Sequence, residues 1–280
     1  MSLFPSLNNQ GVLILQSVTL ESNRVRVFGS AVRVFSIFAL KVYKSRFLNK
    51  PSPGYFLYGG VISVRDTNTF EVQECHFDGN YAVYGGALCV HSHNDRRLPS
   101  TSVLIKETTF HNCNSYAGGG ALYLNINGIL SLEVKRSRFV ENYSMKLTGG
   151  AIAIYLDPDT LNDPGCIKTS LAQASQIHDT KELPSWLYKS HLTFEDTIFE
   201  RNAAVSGGTL HLTNGKAIFR NCSFIDNFAS TLGGHIHTET GSASLIIRAS
   251  FFRQNINEIH HRVFYLRRKF RSIESKQYHI

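Results

Sequence analysis

Residues 77–88 read FDGNYAVYGGAL, a Phe three residues before an Asn and then a Gly-Gly pair followed by two apolar side chains. The same order returns at 139–152 (FVENYSMKLTGGAI), 199–210 (FERNAAVSGGTL) and 224–236 (FIDNFASTLGGHI). Two half-motifs recurring together in one order mark a repeat architecture, in which each unit is too small to bury its own apolar face.

Working outward, the chain aligns on Phe47, Phe77, Phe110, Phe139, Phe199, Phe224 and Phe252. Seven residues before each stands Leu40, Phe70, Val103, Leu132, Leu192, Ala217 or Leu245, and two residues later Val42, Val72, Ile105, Val134, Phe194, Phe219 or Ile247. Two before each Phe the side chain is small: Ser45, Cys75, Thr108, Ser137, Thr197, Cys222, Ser250. Period-two alternation broken by a polar turn describes two short strands meeting at a bend. Three after the Phe comes Asn80, Asn142, Asn202, Asn227 or Asn255, replaced by Lys50 and Cys113 in two units. After each Gly-Gly pair, Ile62, Leu88, Leu122, Ile152, Leu210 and Ile236 point inward, and a weaker unit starts at Leu13 and Leu15.

The units span 25–33 residues, apart from the 60-residue step from Phe139 to Phe199. Such units must stack, and parallel crossovers are overwhelmingly right-handed. The expected fold is all-β: a right-handed, single-stranded parallel β-helix of about eight coils over 11–257, with one long corner insertion at 157–190. Residues 1–10 form a lead and 258–280 a basic tail. The first coil begins almost at residue 11 with no polar cap ahead of it, so the chain is expected to be a fragment whose stack continues end to end with further coils. Stacking assigns the Phe positions to an inward aromatic ladder and the Asn positions to a buried amide ladder. The sequon Asn142-Tyr143-Ser144 lies on that amide ladder.

Composition narrows the function classes. The net charge is +8, yet residues 1–50 carry seven Lys/Arg against Glu21, and 260–280 carry six against Glu274. The body between them holds 16 basic and 19 acidic residues, a net of −3, which argues against a nucleic-acid groove. No apolar run reaches the roughly 20 residues of a membrane span, and the start lacks the basic and apolar regions of a secretion signal. Cys75, Cys89, Cys113, Cys166 and Cys222 fit neither an even disulfide framework nor a C-x-x-C metal pattern, and are expected to be free, mostly buried thiols.

The pairing of Phe-x-x-Asn with Gly-Gly-Ala-Leu/Ile over residues 11–257 resembles the repeat of the polymorphic outer membrane proteins, the chlamydial surface autotransporters. That resemblance implies a passenger-like β-helix at the cell surface or outside the cell. It further implies an adhesive or recognition role without catalysis, with a cell-surface protein or glycan as partner and no cofactor.

Three sets of residues are candidates for a site. Connections of varying length leave one corner of successive coils; the longest carries Trp186 and Tyr188, and the loop two coils earlier carries Arg96 and Arg97, so aromatic anchors and a basic rim could flank one groove. On the Gly-Gly strand the outward row is Ser63, Cys89, Tyr123, Ala153, His211 and His237, with His235 on the strand of His237. The three histidines suggest a zinc site, or else a solvated polar ladder. Lyases and hydrolases of polysaccharides share β-helical folds, but their chemistry needs paired carboxylates, and that row holds none.

Overall fold

The computed structural model describes residues 2–3, 11–21, 31–49, 59–92, 100–156, 189–239, 243–253 and 264–266. Among them every pairing is parallel, and the strands form a β-solenoid with four sheets running its length. One coil shows the pattern. Thr69–Gln73 lies in the leading sheet, His76–Asp78 in the Phe sheet, Tyr81–Tyr84 in a short fourth sheet and Leu88–Ser92 in the Gly-Gly sheet. Among the described residues the leading and Phe sheets hold eight strands each and the fourth sheet five, so fewer than the eight expected coils are complete among them. The Gly-Gly sheet has nine strands. Its first and last, Ser2–Leu3 and Phe264–Leu266, come from the expected lead and tail, so the solenoid extends past 11–257 at both ends.

The core is a column of side chains, fully buried from Phe47 to Phe224 and partly buried at Phe252. The rings from Phe47 to Phe252 stack with centroids 4.5–5.2 Å apart and planes within 18°. Each stacked pair adds about 0.5–1.5 kcal/mol beyond burial. The stack runs unbroken across the long insertion, with Phe139 and Phe199 at 5.2 Å.

Parallel stacking sets a strict requirement at the bends, where each backbone N–H must still find a carbonyl on the next coil. One residue per bend solves this by adopting the left-handed conformation. Lys44, Glu74, Glu107, Arg136, Asp196, Asn221 and Ala249 precede the Phe strand with φ between 45° and 52°. From Lys44 to Asn221 their N–H groups still donate to the neighbouring coil, as from Glu74 to Lys106 O (3.0 Å) and from Glu107 to Lys135 O (3.0 Å). The small residue that follows continues the ladder. Thr108 Oγ1 donates to Lys106 O (2.9 Å) and accepts from Cys75 N (3.3 Å), while Ser137 Oγ donates to Lys135 O and accepts from Thr108 N. A thiol fills the same role, since Cys75 Sγ donates to Gln73 O and Cys222 Sγ to Arg220 O. These two cysteines are buried free thiols four coils apart, about 19 Å at the usual strand spacing, and so beyond disulfide reach. Cys166 lies outside the described residues.

The other bend carries the amide ladder. Asn142 Nδ2 donates to Phe110 O (3.1 Å) and to Asn202 Oδ1 (2.8 Å), and Asn202 Nδ2 donates to Phe139 O and Asn227 Oδ1 (both 2.9 Å). The Oδ1 atoms of Asn142, Asn202 and Asn227 also accept a ladder N–H from the coil before, as Asn142 Oδ1 does from Cys113 N (3.0 Å). Asn255 is outside the described residues.

The two glycines of each pair do different work. Gly85 has φ +55°, whereas a Cβ on Gly86 would sit 2.5 Å from the carbonyl oxygens of Asn114 and Gly120. The first glycine turns the chain, and the second lets adjacent coils touch backbone to backbone. Charges at the outer bend pair between coils, Lys44 with Glu74 at 3.8 Å and Arg136 with Glu107 at 2.7 Å. Exposed pairs of this kind add roughly 0–1 kcal/mol each and mainly favour the correct register.

Two predictions test this account. Asn142→Ala should lower stability by about 1–3 kcal/mol, because buried partners in two neighbouring coils lose their hydrogen bonds; native chain passed through a glycosylating secretory route should carry no glycan at Asn142, by peptide mapping. Ala249→Gly should raise stability by roughly 0.5–1 kcal/mol in urea titrations, as relief of about 1–2 kcal/mol of left-handed strain exceeds the added chain entropy of about 0.5–1 kcal/mol.

Candidate functional site

The outward row of the Gly-Gly sheet is in register from Ser63 through Cys89, Tyr123, Ala153 and His211 to His237. It is not a solvated face. From Cys89 onward every member is buried, with His211 at 0% and His237 at 5% exposure. The cover comes partly from the chain just before each Gly-Gly turn. Tyr84, Gly118, Thr148 and Ser206 stand in register there, forming a lip. The Tyr84 ring lies 4.7 Å from that of Tyr123, Tyr123 packs near Gly118, and Thr148 Oγ1 shares a 2.6 Å hydrogen bond with Tyr155 OH.

Beneath the lip runs a strip of rings: His91–Tyr123 at 5.6 Å, Tyr123–Tyr155 at 5.4 Å, Tyr155–His211 at 5.2 Å and His211–His237 at 5.1 Å. Cys89 Sγ lies 3.1 Å from His91 Nε2, and the Nδ1 atoms of His211 and His237 are 3.2 Å apart. Glu239, about half exposed, brings Oε1 to 3.6 Å from His211 Nε2.

Burial sets the protonation of these groups. It pushes the Cys89 thiol up to about 12 and holds the Tyr123 and Tyr155 phenols protonated. Burial, aided by the neighbouring His237, lowers His211 to about 3, so its imidazole is neutral and its approach to Glu239 is not an ion pair at pH 7. A thiol this weakly acidic is a poor nucleophile, and so weak an imidazole is a poor general base. What the strip offers is nitrogen lone pairs held in place.

The structure unites two of the three expected histidines. His235 is separate, because it precedes the strand Ile236–Thr238 and follows Gly233, whose φ of 63° turns the chain. Its ring points into the core between Phe224 and Phe252, with Nδ1 3.2 Å from Asn227 Nδ2. Glu239 takes its place: one donor atom from each of His211, His237 and Glu239 lies within 4.8 Å of the others. Glu239 follows His237 by two residues, and that spacing was the available signal. Trp186, Tyr188, Arg96 and Arg97 lie outside the described residues. A further grouping occurs on the Phe sheet, where His111 Nδ1 meets Asp78 Oδ1 at 2.7 Å and His111 Nε2 meets Glu141 Oε2 at 3.3 Å, all three partly exposed.

No family model, curated protein or solved structure matches this chain.

The buried histidines predict acid sensitivity. Burial also lowers His235, to about 4, against an ordinary value of 6.5. Between pH 6.5 and about 4 the unfolded chain therefore binds protons that the folded chain does not, so stability rises with pH across that window and is lost on acidification. Urea midpoints should fall from pH 7 to pH 5, each histidine contributing roughly 2 kcal/mol of that loss, and His211→Ala should remove its share.

Proposed function

We propose that this chain is a non-catalytic recognition module of a cell surface or extracellular protein, a rigid β-solenoid that presents corner insertions to a protein or glycan partner. The observation that carries this reading is how the stack closes where the long insertion leaves and returns. On the departing side, Leu156 N donates to Thr213 Oγ1 (3.0 Å) and Asn214 Nδ2 donates to Leu156 O (2.6 Å). On the returning side, Leu130 N donates to Ser190 Oγ (3.0 Å), and Ser131 pairs with His191. Both ends are anchored to neighbouring coils, so the 157–188 segment is grafted onto a scaffold whose core continues past it.

Ser92 and Leu156, the last described residues before the 93–99 and 157–188 connections, stand in register two strands apart, about 10 Å at the usual strand spacing. Loops on a rigid scaffold are common carriers of binding residues, and Trp186, Tyr188, Arg96 and Arg97 are of the types enriched at recognition surfaces. The resemblance to the polymorphic outer membrane protein repeat supports the surface location. Among the described residues no helix is long and apolar enough to cross a membrane.

Replacing residues 158–189 with a short Gly-containing turn should leave the melting temperature within a few degrees of the parent, while binding to cells or a glycan array is lost. Unchanged binding would remove the insertion as the recognition arm. Turnover of polyuronides by the parent chain would replace this reading with a carbohydrate-active one.

A further inference from the structure

We propose that the imidazoles of His211 and His237, together with the carboxylate of Glu239, form a binding site for a divalent transition-metal cation of the zinc class, clasping two adjacent coils of the solenoid. The two histidines face each other across paired strands, His211 of Leu210–Leu212 and His237 of Ile236–Thr238. Their Nδ1 atoms are 3.2 Å apart. A zinc ion about 2.0–2.1 Å from each nitrogen would subtend an angle of about 100° between them, close to tetrahedral. The metal-free pair already has the spacing of two ligands on one ion.

The second observation concerns the far side of the His211 ring. His211 is fully buried, and its Nε2 has no hydrogen-bond partner among the described residues. A cation on Nδ1 places the ring proton on Nε2, which faces Glu239 Oε1 at 3.6 Å. A metal-bound imidazole backed by a carboxylate is the usual supporting arrangement of histidine metal sites. Glu239 thus supplies countercharge and orients the ring from its Nε2 side. Imidazole donors select zinc, copper or nickel over calcium or magnesium. Tyr155, 5.2 Å from His211 beneath the lip, holds the ring in place before any ion arrives.

The test uses the full chain, stripped with a chelator and titrated calorimetrically with zinc chloride and, separately, calcium chloride. One zinc ion per chain should bind, with no saturable calcium uptake. His211→Ala copies the residue of the preceding coil, Ala153, and should weaken zinc binding at least 100-fold, as should His237→Ala. Glu239→Gln should weaken it about 10- to 100-fold. His235→Thr, which copies Thr209, should keep the parent affinity. No saturable zinc uptake overturns the site, and so does parent-like affinity in folded His211→Ala and His237→Ala. If the buried alanine variants do not fold, Glu239→Gln at its exposed position decides the matter, and parent-like affinity there overturns the proposal.

Discussion

Every coil of this solenoid must hand its backbone hydrogen bonds to the next coil about 4.8 Å away, and it must do so around corners as well as along strands. Straight parallel strands meet that demand without help. Corners do not, because a bend rotates N–H and C=O groups out of the ladder and buries some of them. The repeated residues of the sequence are answers to this constraint. Left-handed bend residues keep their N–H groups on the neighbouring coil, hydroxyls and thiols bridge the position after the bend, and asparagine amides join both sides of the second corner. The hydroxyl, thiol and amide answers recur because a like residue stands at the same place in most coils above and below, whereas at the left-handed bends only the backbone conformation recurs.

That reciprocity explains which substitutions the repeat accepts. Cysteine replaces serine or threonine at 75 and 222, since S–H can donate to the carbonyl two residues back as O–H does. Cys113 replaces an asparagine, and Asn80 Nδ2 then meets sulfur at 3.7 Å in place of an amide oxygen. Asn80 Oδ1, at a repeat position where the preceding unit of the sequence carries Lys50, has no hydrogen-bond partner among the described residues. Cys75, Cys113 and Cys222 are thus ladder members and Cys89 lies on the outward row, and all four described cysteines are free thiols.

The outer surface follows a different rule. Inside the coil, side chains meet identical neighbours, whereas outside they meet whatever the lip and connections bring over them. Tyr84, Tyr123, Tyr155, His211 and His237 are polar at one end and ring-shaped, so they can be buried against one another at modest cost while keeping a donor or acceptor at the edge. Burial keeps Tyr123, Tyr155 and His211 uncharged at pH 7 and leaves the imidazole nitrogens as the strip's donor atoms. Glu239 supplies the charge from the exposed end.

The coil, its strands and its inward positions were legible in the sequence because period-two alternation and a unit of 25–33 residues recur, and an inward residue must repeat to fill the same space in each coil. The row from Ser63 to His237 was legible as a row for the same reason. Its burial was not, since the lip residues Tyr84, Gly118, Thr148 and Ser206, each directly before its glycine pair, share no residue type that would mark them as cover. The inward turn of His235 depends on the φ of Gly233, and the left-handed bends occupied by Lys44, Glu107 or Arg136 carry no residue-type signature. Sequence alone determined what repeats, because repetition is itself a physical demand of stacking; tertiary structure alone decided which outward side chains are buried and which functional groups meet, because that depends on backbone direction and on cover from elsewhere in the chain.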